Sequence, residues 1–402
     1  MFQALAAFLC LQLVACGASL GPPPDQADTD AGSGLNDGSN ADGLIDYIPS
    51  NVPASHFSAG EARVDIALDI TLNTDTGVVS GPGAGAVTSD SHFDIIQQGP
   101  NAPSLGVFSW ASLTVASGVT ISVEGTNALV LVIRENATIN GLIDVSGGRG
   151  VLSAAGPGGY RGGNNTSQLG SGLGGGASRN YDAGGGGGGY ADIGGVGGNH
   201  EGDPGGVAGP ATGTESNVPL LGGSGGGRGG NGGTGSGNGG GGGGAFQLSA
   251  RGEVRFGLGS GVNAGGGAGL GGSNDRGGGG GGAGGAILIE ARHVVLEDGT
   301  LSVNGGGGGA GANRGNRGAD GQVGQFSATA AAGGNAAGEG SAGGSGAAGT
   351  NLAGSPGEPV SAGNTGGGGG AGGRIYLRTR QQLSISAMSV ISPTGSLVSG
   401  TL

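Results

Sequence analysis

The sequence has no lysine, few aromatic residues and almost no cysteine, and each absence excludes a class of protein. All fifteen basic residues are arginine and the formal net charge is −13, so the chain lacks the basic surface that nucleic-acid binding requires. The two cysteines, Cys10 and Cys16, lie near the start, which excludes a disulfide framework or a thiolate metal site in the rest of the chain. With 3% aromatic residues, the chain has little large side-chain area for a thick core.

Glycine is abundant instead, at 110 of the 402 residues. Its runs are irregular, which excludes the collagen triple helix, because that structure requires glycine at every third position. Ordering a glycine has a high cost in backbone entropy, which a residue without a side chain cannot offset by burial. The glycine-rich segments are therefore either mobile loops or polyglycine-II strands, in which backbones hydrogen-bond so closely that a Cβ would not fit.

A repeated unit organises the sequence: a glycine run, a short apolar strand with period-two alternation, and a second glycine run. In the copy at 277–309, Ile287 and Ile289 face one side, and Leu288 and Glu290 face the other. Further copies begin at Ala128, Gly239 and Gly366.

Alignment of these copies predicts the fold. One register position holds Val130, Phe246, Ile287 and Ile375, and the next holds Val132, Leu248, Ile289 and Leu377. Short strands repeated in register are typical of a parallel β-helix, in which each rung buries its inner face only by stacking on the next. We therefore predict an all-β fold, a parallel β-helix-like stack of short strands with long glycine-rich insertions.

The sequence divides into segments of different composition. We predict a lipoprotein signal peptide (1–15), an acidic Pro/Gly/Asp-rich tether (16–55), a strand segment entering the β-helix (56–148), a glycine-rich insertion (149–244), β repeats with a short glycine-rich insertion (245–304), another glycine-rich insertion (305–373) and a C-terminal β repeat (374–402). The tether should be solvated and extended. Within it, Asn40, Asp42 and Asp46 resemble part of a calcium loop, but Gly38 and Pro49 occupy its two end positions, so a spacer is favoured over a calcium site.

The start of the chain has the features of a secretion signal, since the first fifteen residues are apolar and end in small residues. Leu13, Val14, Ala15 and Cys16 resemble the lipobox of bacterial lipoproteins. In that family the signal is cut before the cysteine, which then carries the lipid, so the resemblance implies lipidation of Cys16. The Gly17 that follows, where an Asp would retain the protein at the inner membrane, implies the outer membrane. The first sixteen residues lack the basic start of that family, so an ordinary signal and a secreted protein are the alternative.

The lipobox, the acidic spacer, the LTVxSGVTISVxG segment and the GGGGGAGGxIxLxA units together resemble a group of uncharacterised glycine-rich bacterial surface lipoproteins. The resemblance covers most of the chain after the predicted signal. It implies an envelope location and a repeat architecture, and it implies no activity. The glycine-rich blocks are similar in composition alone to PE-PGRS proteins, whose helical Pro-Glu domain has no counterpart in this sequence.

Residues with the spacing of a catalytic or metal site are sparse. The four histidines are far apart in sequence and show no metal-binding spacing. The polar cluster from Asn199 to Asp203 fits a solvated turn, and Asp65 and Asp69 fit a solvated strand face. Gly-x-Ser-x-Gly strings occur without the helix that a nucleophile elbow requires. We therefore predict no catalytic, cofactor-binding or metal-binding residues, no cofactor, and Cys16 as the lipidation site.

The sequence favours a lipid-anchored, surface-displayed structural or adhesive protein without catalytic activity. Its predicted partners are the membrane, through the lipid on Cys16, and surface glycans or other envelope proteins. Two alternatives stay open: a carbohydrate-active β-helix enzyme (a polysaccharide lyase or hydrolase), and an ice- or glycan-surface-binding protein. The enzyme rests on analogy of fold and would need carboxylates and arginines on one face. The candidates for that face are Asp144 with Arg134 and Glu135, or Arg378 with Arg380.

Overall fold

Apolar segments with period-two alternation form β-strands here, because alternate side chains of an extended chain can be buried on one face. The computed structural model describes residues 44–179, 182–230, 234–313, 315–360, 363–381 and 383–402, all within one unit, Gly38–Leu402. The predicted signal peptide, Cys16 and most of the predicted tether lie outside the described residues.

Eighteen strands and short 3₁₀ helices are found in the described part of the chain. The strands are β1 (Arg63–Ile66), β2 (Ile70–Asn73), β3 (Val79–Ser80), β4 (His92–Ile96), β5 (Leu105–Trp110), β6 (Ser112–Val115), β7 (Thr120–Glu124), β8 (Ala128–Ile133), β9 (Ala137–Ile139), β10 (Leu142–Asp144), β11 (Ala245–Phe256), β12 (Gly261–Asn263), β13 (Ala286–Leu296), β14 (Thr300–Ser302), β15 (Arg374–Thr379), β16 (Ser384–Ile385), β17 (Val390–Ser392) and β18 (Leu397–Thr401). The 3₁₀ helices span Ala54–Ser58, Ala84–Ala86 and Thr394–Ser396.

The strands pair into two sheets. The main path of the eleven-stranded sheet is β1-β6-β9-β11-β13-β15-β18. Outside this path, β8 pairs with β11 and β16 pairs with β13. β5 pairs with β8, and β4 pairs with β5. The seven-stranded sheet has the order β17-β14-β12-β10-β7-β2-β3. Most neighbours are parallel, and β2–β3 and β4–β5 are antiparallel.

The prediction of a parallel β-helix-like stack is wrong. The structure has mixed sheets, one of them curled as a half-barrel, with 27% strand and 3% helix. The antiparallel β2–β3 pair has a local cause. Asn73 Oδ1 accepts hydrogen bonds from the backbone N–H groups of Asp75 and Thr76, and Gly77, at φ +72°, completes a tight turn that folds β3 back onto β2. An antiparallel neighbour needs only such a turn, whereas a uniform parallel stack needs a crossover between all neighbours.

The register predicted from the repeats is confirmed for three strands and wrong for a fourth. Phe246, Ile287 and Ile375 lie side by side on β11, β13 and β15. On β8, however, Leu129 pairs with Phe246, and Val130 pairs with Gln247. A slip of one residue moves a side chain to the other face of the sheet. Val130 and Val132 therefore pack on the face opposite the main core.

The main hydrophobic core joins apolar faces of the two sheets. Its largest buried side chains include Trp110, Phe108, Phe246 and Phe256. A second apolar cluster covers the other face of the larger sheet, where Leu105, Val130 and Leu288 contact side chains from outside the sheet. The central strands are consequently buried on both faces, which explains why β8 is apolar at all of its positions.

The longest glycine runs of the described chain are packed and buried, which answers for these runs the choice that composition leaves open. We call residues 183–189, 222–230, 237–244, 264–272, 277–285, 303–312 and 364–373 the glycine bundle, because their backbones hydrogen-bond laterally to one another. The N–H groups of Gly278, Gly281 and Gly284 donate to the carbonyls of Thr365, Gly368 and Ala371, so every third residue bonds the same neighbour. A three-residue period is that of polyglycine II.

Glycine is required in this bundle for steric reasons. A Cβ built on Gly280 would overlap the carbonyl oxygen of Gly186, and one on Gly367 would overlap that of Gly279. The obstructing atoms are backbone, so no rotamer change can relieve the overlap. The irregular glycine runs are therefore the interior of a packed body, held by peptide hydrogen bonds in place of side chains.

Candidate functional site

A serine, a histidine and a glutamate lie in a hydrogen-bonded row on the surface of the larger sheet. The His293 ring is central: its Nδ1 is 3.2 Å from Glu253 Oε2, and its Nε2 is 3.0 Å from Ser384 Oγ. Glu253 lies on β11, His293 on β13 and Ser384 on β16. Because the carboxylate accepts the Nδ1 proton, Nε2 is assigned as the nitrogen that accepts the serine O–H.

Local sequence explains how Glu253 reaches this row. The β11–β13 pairing shifts between Ala250 and Glu253, and beyond the shift Glu253 lies opposite His293. Gly252 occupies the irregularity, where a Cβ would overlap the side-chain oxygen of Asn136. That oxygen accepts the backbone N–H of Glu253 at 2.7 Å. The missing Cβ thus lets Asn136 fix the backbone that carries the carboxylate.

Ser384 is placed by the strand that it begins. β16 pairs with the second half of β13, with Ser384 opposite Val295, two residues beyond His293 on the same face. The preceding Leu383 packs against the main core. Ser384 itself is exposed, so its hydroxyl is open to solvent.

A second ion pair holds the other oxygen of the glutamate. Arg255 Nε is 2.9 Å from Glu253 Oε1, and Arg255 NH1 is 2.5 Å from Glu297. Hydrogen bonds to Glu297 and then to Glu253 raise the pKa of Arg255. Each oxygen of Glu253 therefore has its own partner, which orients the carboxylate toward the ring.

A polar groove of about 430 Å³ adjoins this row. Its lining is Leu44, Asn136, Thr138, Gly252, Glu253, Arg292, His293 and Gln381. Most of these residues carry hydrogen-bonding side chains and Leu44 is apolar. The groove therefore suits a ligand rich in hydroxyl or carbonyl groups better than an alkyl chain.

A second serine and histidine meet elsewhere but are buried. His56 Nδ1 is 3.4 Å from Ser109 Oγ, and its Nε2 is 3.9 Å from Asp94. Burial lowers the pKa of His56, with Asp94 opposing the shift and His92 adding to it. Ser109 has no exposed surface, so a substrate cannot reach it. This cluster supports the first 3₁₀ helix on the sheet.

A buried carboxylate fastens the segment 44–58, which we call the strap, to the larger sheet. Glu290 is fully buried and accepts hydrogen bonds from Arg378 at 2.6 Å and from the Ser50 hydroxyl at 2.5 Å. Ser249 and Gln247 donate to it at 2.9 and 3.1 Å. A buried charge is tolerated when it has an oppositely charged partner and several hydrogen-bond donors. Removal of one charge of the pair leaves the other buried and uncompensated.

Aromatic contacts extend this attachment along the strap. The Tyr47 hydroxyl donates to the carbonyls of Glu290 and Ala250, and burial, followed by the charge of Glu290, raises its pKa well above the ordinary value. Phe57 packs edge-on against Tyr47 at 5.2 Å and lies 4.9 Å below the Arg251 guanidinium. The strap lies at the end of the segment predicted as a tether, so the strap is where the described body begins.

The residues named for a carbohydrate-active enzyme have separate partners. Asp144 ion-pairs with Arg149 at 3.7 Å, while Glu135 pairs with Arg134 and, at 2.7 Å, with Arg63.

The other candidate pair separates in the same way. Arg378 serves the buried Glu290, and Arg380 is exposed after β15. The structure thus places these candidates in structural ion pairs or on the surface.

The acidic clusters considered as ligands also have structural roles. Asp46 pairs with Arg251 at 3.0 Å, and Asn40 and Asp42 lie outside the described residues. Asp69 caps the backbone of Thr120, and Asp203 bonds His200 through backbone. Among the described residues, no group of three or more His, Cys, Asp or Glu side chains could hold a metal ion.

Sequence reasoning missed the row because its members are distant in the chain. The histidines show no metal-binding spacing, and Ser384 lies in a segment without a motif. One signal was available: Glu253 and His293 fall in equivalent copies of the repeat, offset by one residue. A single gap in the alignment brings them into register, as the pairing irregularity does in the structure.

No protein-family model matches the chain, and no curated protein or solved structure is significantly similar to it. Within the described ranges, no helix has both the length and the apolar character to cross a bilayer.

Proposed function

We propose that the protein is a structural or adhesive protein of the bacterial surface, held in the outer membrane by a lipid on Cys16. The observation that carries the proposal is the glycine bundle. Its peptide groups hydrogen-bond to each other across adjacent segments, and its interior leaves no space for side chains. Such a body gains order from backbone contacts and offers little chemistry of its own, as a display scaffold requires.

The strap supports the same proposal. A tether that starts at a lipidated residue must join the displayed body firmly, or movement of the tether would unravel the first strands. The strap carries buried apolar side chains, Ile45, Val52 and Phe57, and it is bonded to Glu290 beneath it. The proposed partners of the displayed body are surface glycans or other envelope proteins.

Cell fractionation with surface proteolysis tests this function. The natural protein should fractionate with the outer membrane and be cleaved by protease added to intact cells. Cys16→Ser should release it into the soluble fraction, because the lipid cannot be attached. Cys10→Ser is the matched control, since it removes the other cysteine of the same segment and should leave the protein membrane-bound.

Either of two outcomes would reject the proposal. If Cys16→Ser and the natural protein are equally soluble, the chain has no lipid anchor. If the natural protein is membrane-bound but protected on intact cells and digested only after lysis, it is anchored without being displayed.

A further inference from the structure

We propose that Ser384, His293 and Glu253 form a hydrolytic site for short-chain acyl esters on polar carriers, such as acetylated sugars. This activity goes beyond the surface function proposed above and does not depend on it. The row joins three strands that are far apart in sequence, and two of its members, His293 and Glu253, line the polar groove.

The order of contacts is the one that nucleophilic catalysis requires. A serine hydroxyl becomes a nucleophile when a base accepts its proton, and the base needs a third group to hold its ring. Here Ser384 Oγ contacts Nε2 at 3.0 Å and Glu253 contacts Nδ1 at 3.2 Å, so one ring nitrogen serves each task. In the buried cluster around His56, the serine is out of reach of solvent.

Exposure of the three side chains also fits a surface site. Ser384 is exposed, and the side chains of His293 and Glu253 are 29% and 34% exposed. The nucleophile is thus the most accessible member, and the carboxylate is paired with Arg255. A substrate in the groove would lie beside His293, which lines it, and Ser384 Oγ is 3.0 Å from the Nε2 of that ring.

The lining of the groove indicates the substrate class. Asn136, Thr138, Arg292 and Gln381 offer polar groups around the row, and Leu44 is the apolar member. A long acyl chain would bury its methylene groups against polar atoms and gain little. A small acyl group on a hydroxyl-rich carrier matches the groove in polarity.

The reaction uses water as its co-reactant. Ser384 Oγ attacks the ester carbonyl while His293 Nε2 takes its proton, and the C–O bond to the alcohol breaks as Nε2 returns that proton to the leaving oxygen. Water then attacks the acyl-serine, again deprotonated by Nε2, and the carboxylic acid leaves as Ser384 regains its proton. Arg292 and Gln381 line the groove with N–H groups for the charge that develops on the carbonyl oxygen.

Hydrolysis of p-nitrophenyl acetate and of acetylated xylose by the full chain tests the site. Ser384→Ala and His293→Ala should each lower the rate by at least about 100-fold, with unchanged urea midpoints. Ser399→Ala, an exposed serine on β18 of the same sheet, is the control and should keep the natural rate. A fluorophosphonate should label Ser384 in the natural protein, as located by mass spectrometry.

Glu253 is a positioning residue, and its test is the rescue of kcat by a conservative variant. Glu253→Ala should lower kcat, because the ring of His293 loses the group that orients it, and Glu253→Gln should recover part of that loss, because its amide oxygen can still accept the Nδ1 proton. If Glu253 were merely structural, kcat would follow the urea midpoints of the two variants instead.

Two results would overturn the proposal. One is an acetate release by the natural protein that equals that of Ser384→Ala. The other is fluorophosphonate labelling that spares Ser384 or persists in His293→Ala at the natural rate.

Discussion

At the scale of single residues, glycine acts here as an interior residue. Elsewhere glycine is chosen for turns, as at Gly77, where the backbone adopts a positive φ. In the bundle the requirement is the absence of a side chain, because neighbouring carbonyl oxygens occupy the space of a Cβ. The entropy lost in ordering these residues is offset by hydrogen bonds between peptide groups. A peptide group buried without a hydrogen-bond partner would have a high cost in free energy.

Gly280→Ala should destabilise the protein by about 3 kcal/mol, the upper part of the range for overpacked interiors. The added Cβ meets the backbone of Gly186 and Gly187, and backbone can give way only if the bundle separates. Gly85→Ala is the control, since nothing lies within 4 Å of its Cβ position, and it should change stability by less than about 1 kcal/mol. Urea unfolding of both variants measures the difference; equal stability would mean that the bundle is loosely packed.

At the scale of elements, the strap shows how a polar network can attach a segment to a sheet. Strands β11, β13 and β15 place Ser249, Glu290 and Arg378 side by side, with Ser50 of the strap above them. Burial of the carboxylate makes the network strong only while all of its partners are present.

Glu290→Ala should lower the free energy of unfolding by about 3–5 kcal/mol, because Arg378 and the serine hydroxyls lose their shared partner. Arg63→Ala, in the exposed pair with Glu135, is the comparison and should cost less than about 1 kcal/mol. Limited proteolysis should show that cleavage within the strap becomes faster in Glu290→Ala alone. Equal losses of unfolding free energy in the two variants would show that the buried network stabilises the protein no more than the exposed ion pair does.

Elements were predictable from sequence where polarity alternates. β13 and β15 were located and placed in register because polar residues such as Glu290 and Arg378 interrupt their apolar positions. On β8 the alternation is missing, because both of its faces are buried, and the register was wrong by one residue. The antiparallel hairpin at Asn73–Gly77 was read as a turn, but its effect on strand direction was missed.

At the scale of the whole molecule, composition left two structures open for the glycine-rich segments, mobile loops or polyglycine-II strands, and only the packing of the folded chain distinguishes them. A glycine-rich segment has the same local pattern whether it is mobile or bundled, since the choice depends on neighbours distant in sequence. The candidate site depends on the same long-range contacts: Glu253, His293 and Ser384 are separated by 40 and 91 residues. A local sequence motif therefore cannot reveal this row.

The glycine bundle has a consequence for the heat capacity of the protein. Exposure of apolar groups raises the heat capacity on unfolding and exposure of peptide groups lowers it. Because so much of this interior is hydrogen-bonded backbone, calorimetry should give an increment below the typical value of about 12–15 cal/mol/K per residue. A small increment flattens the dependence of stability on temperature. The body should therefore resist cold and heat over an unusually wide interval, and an ordinary increment would mean that side chains dominate its interior after all.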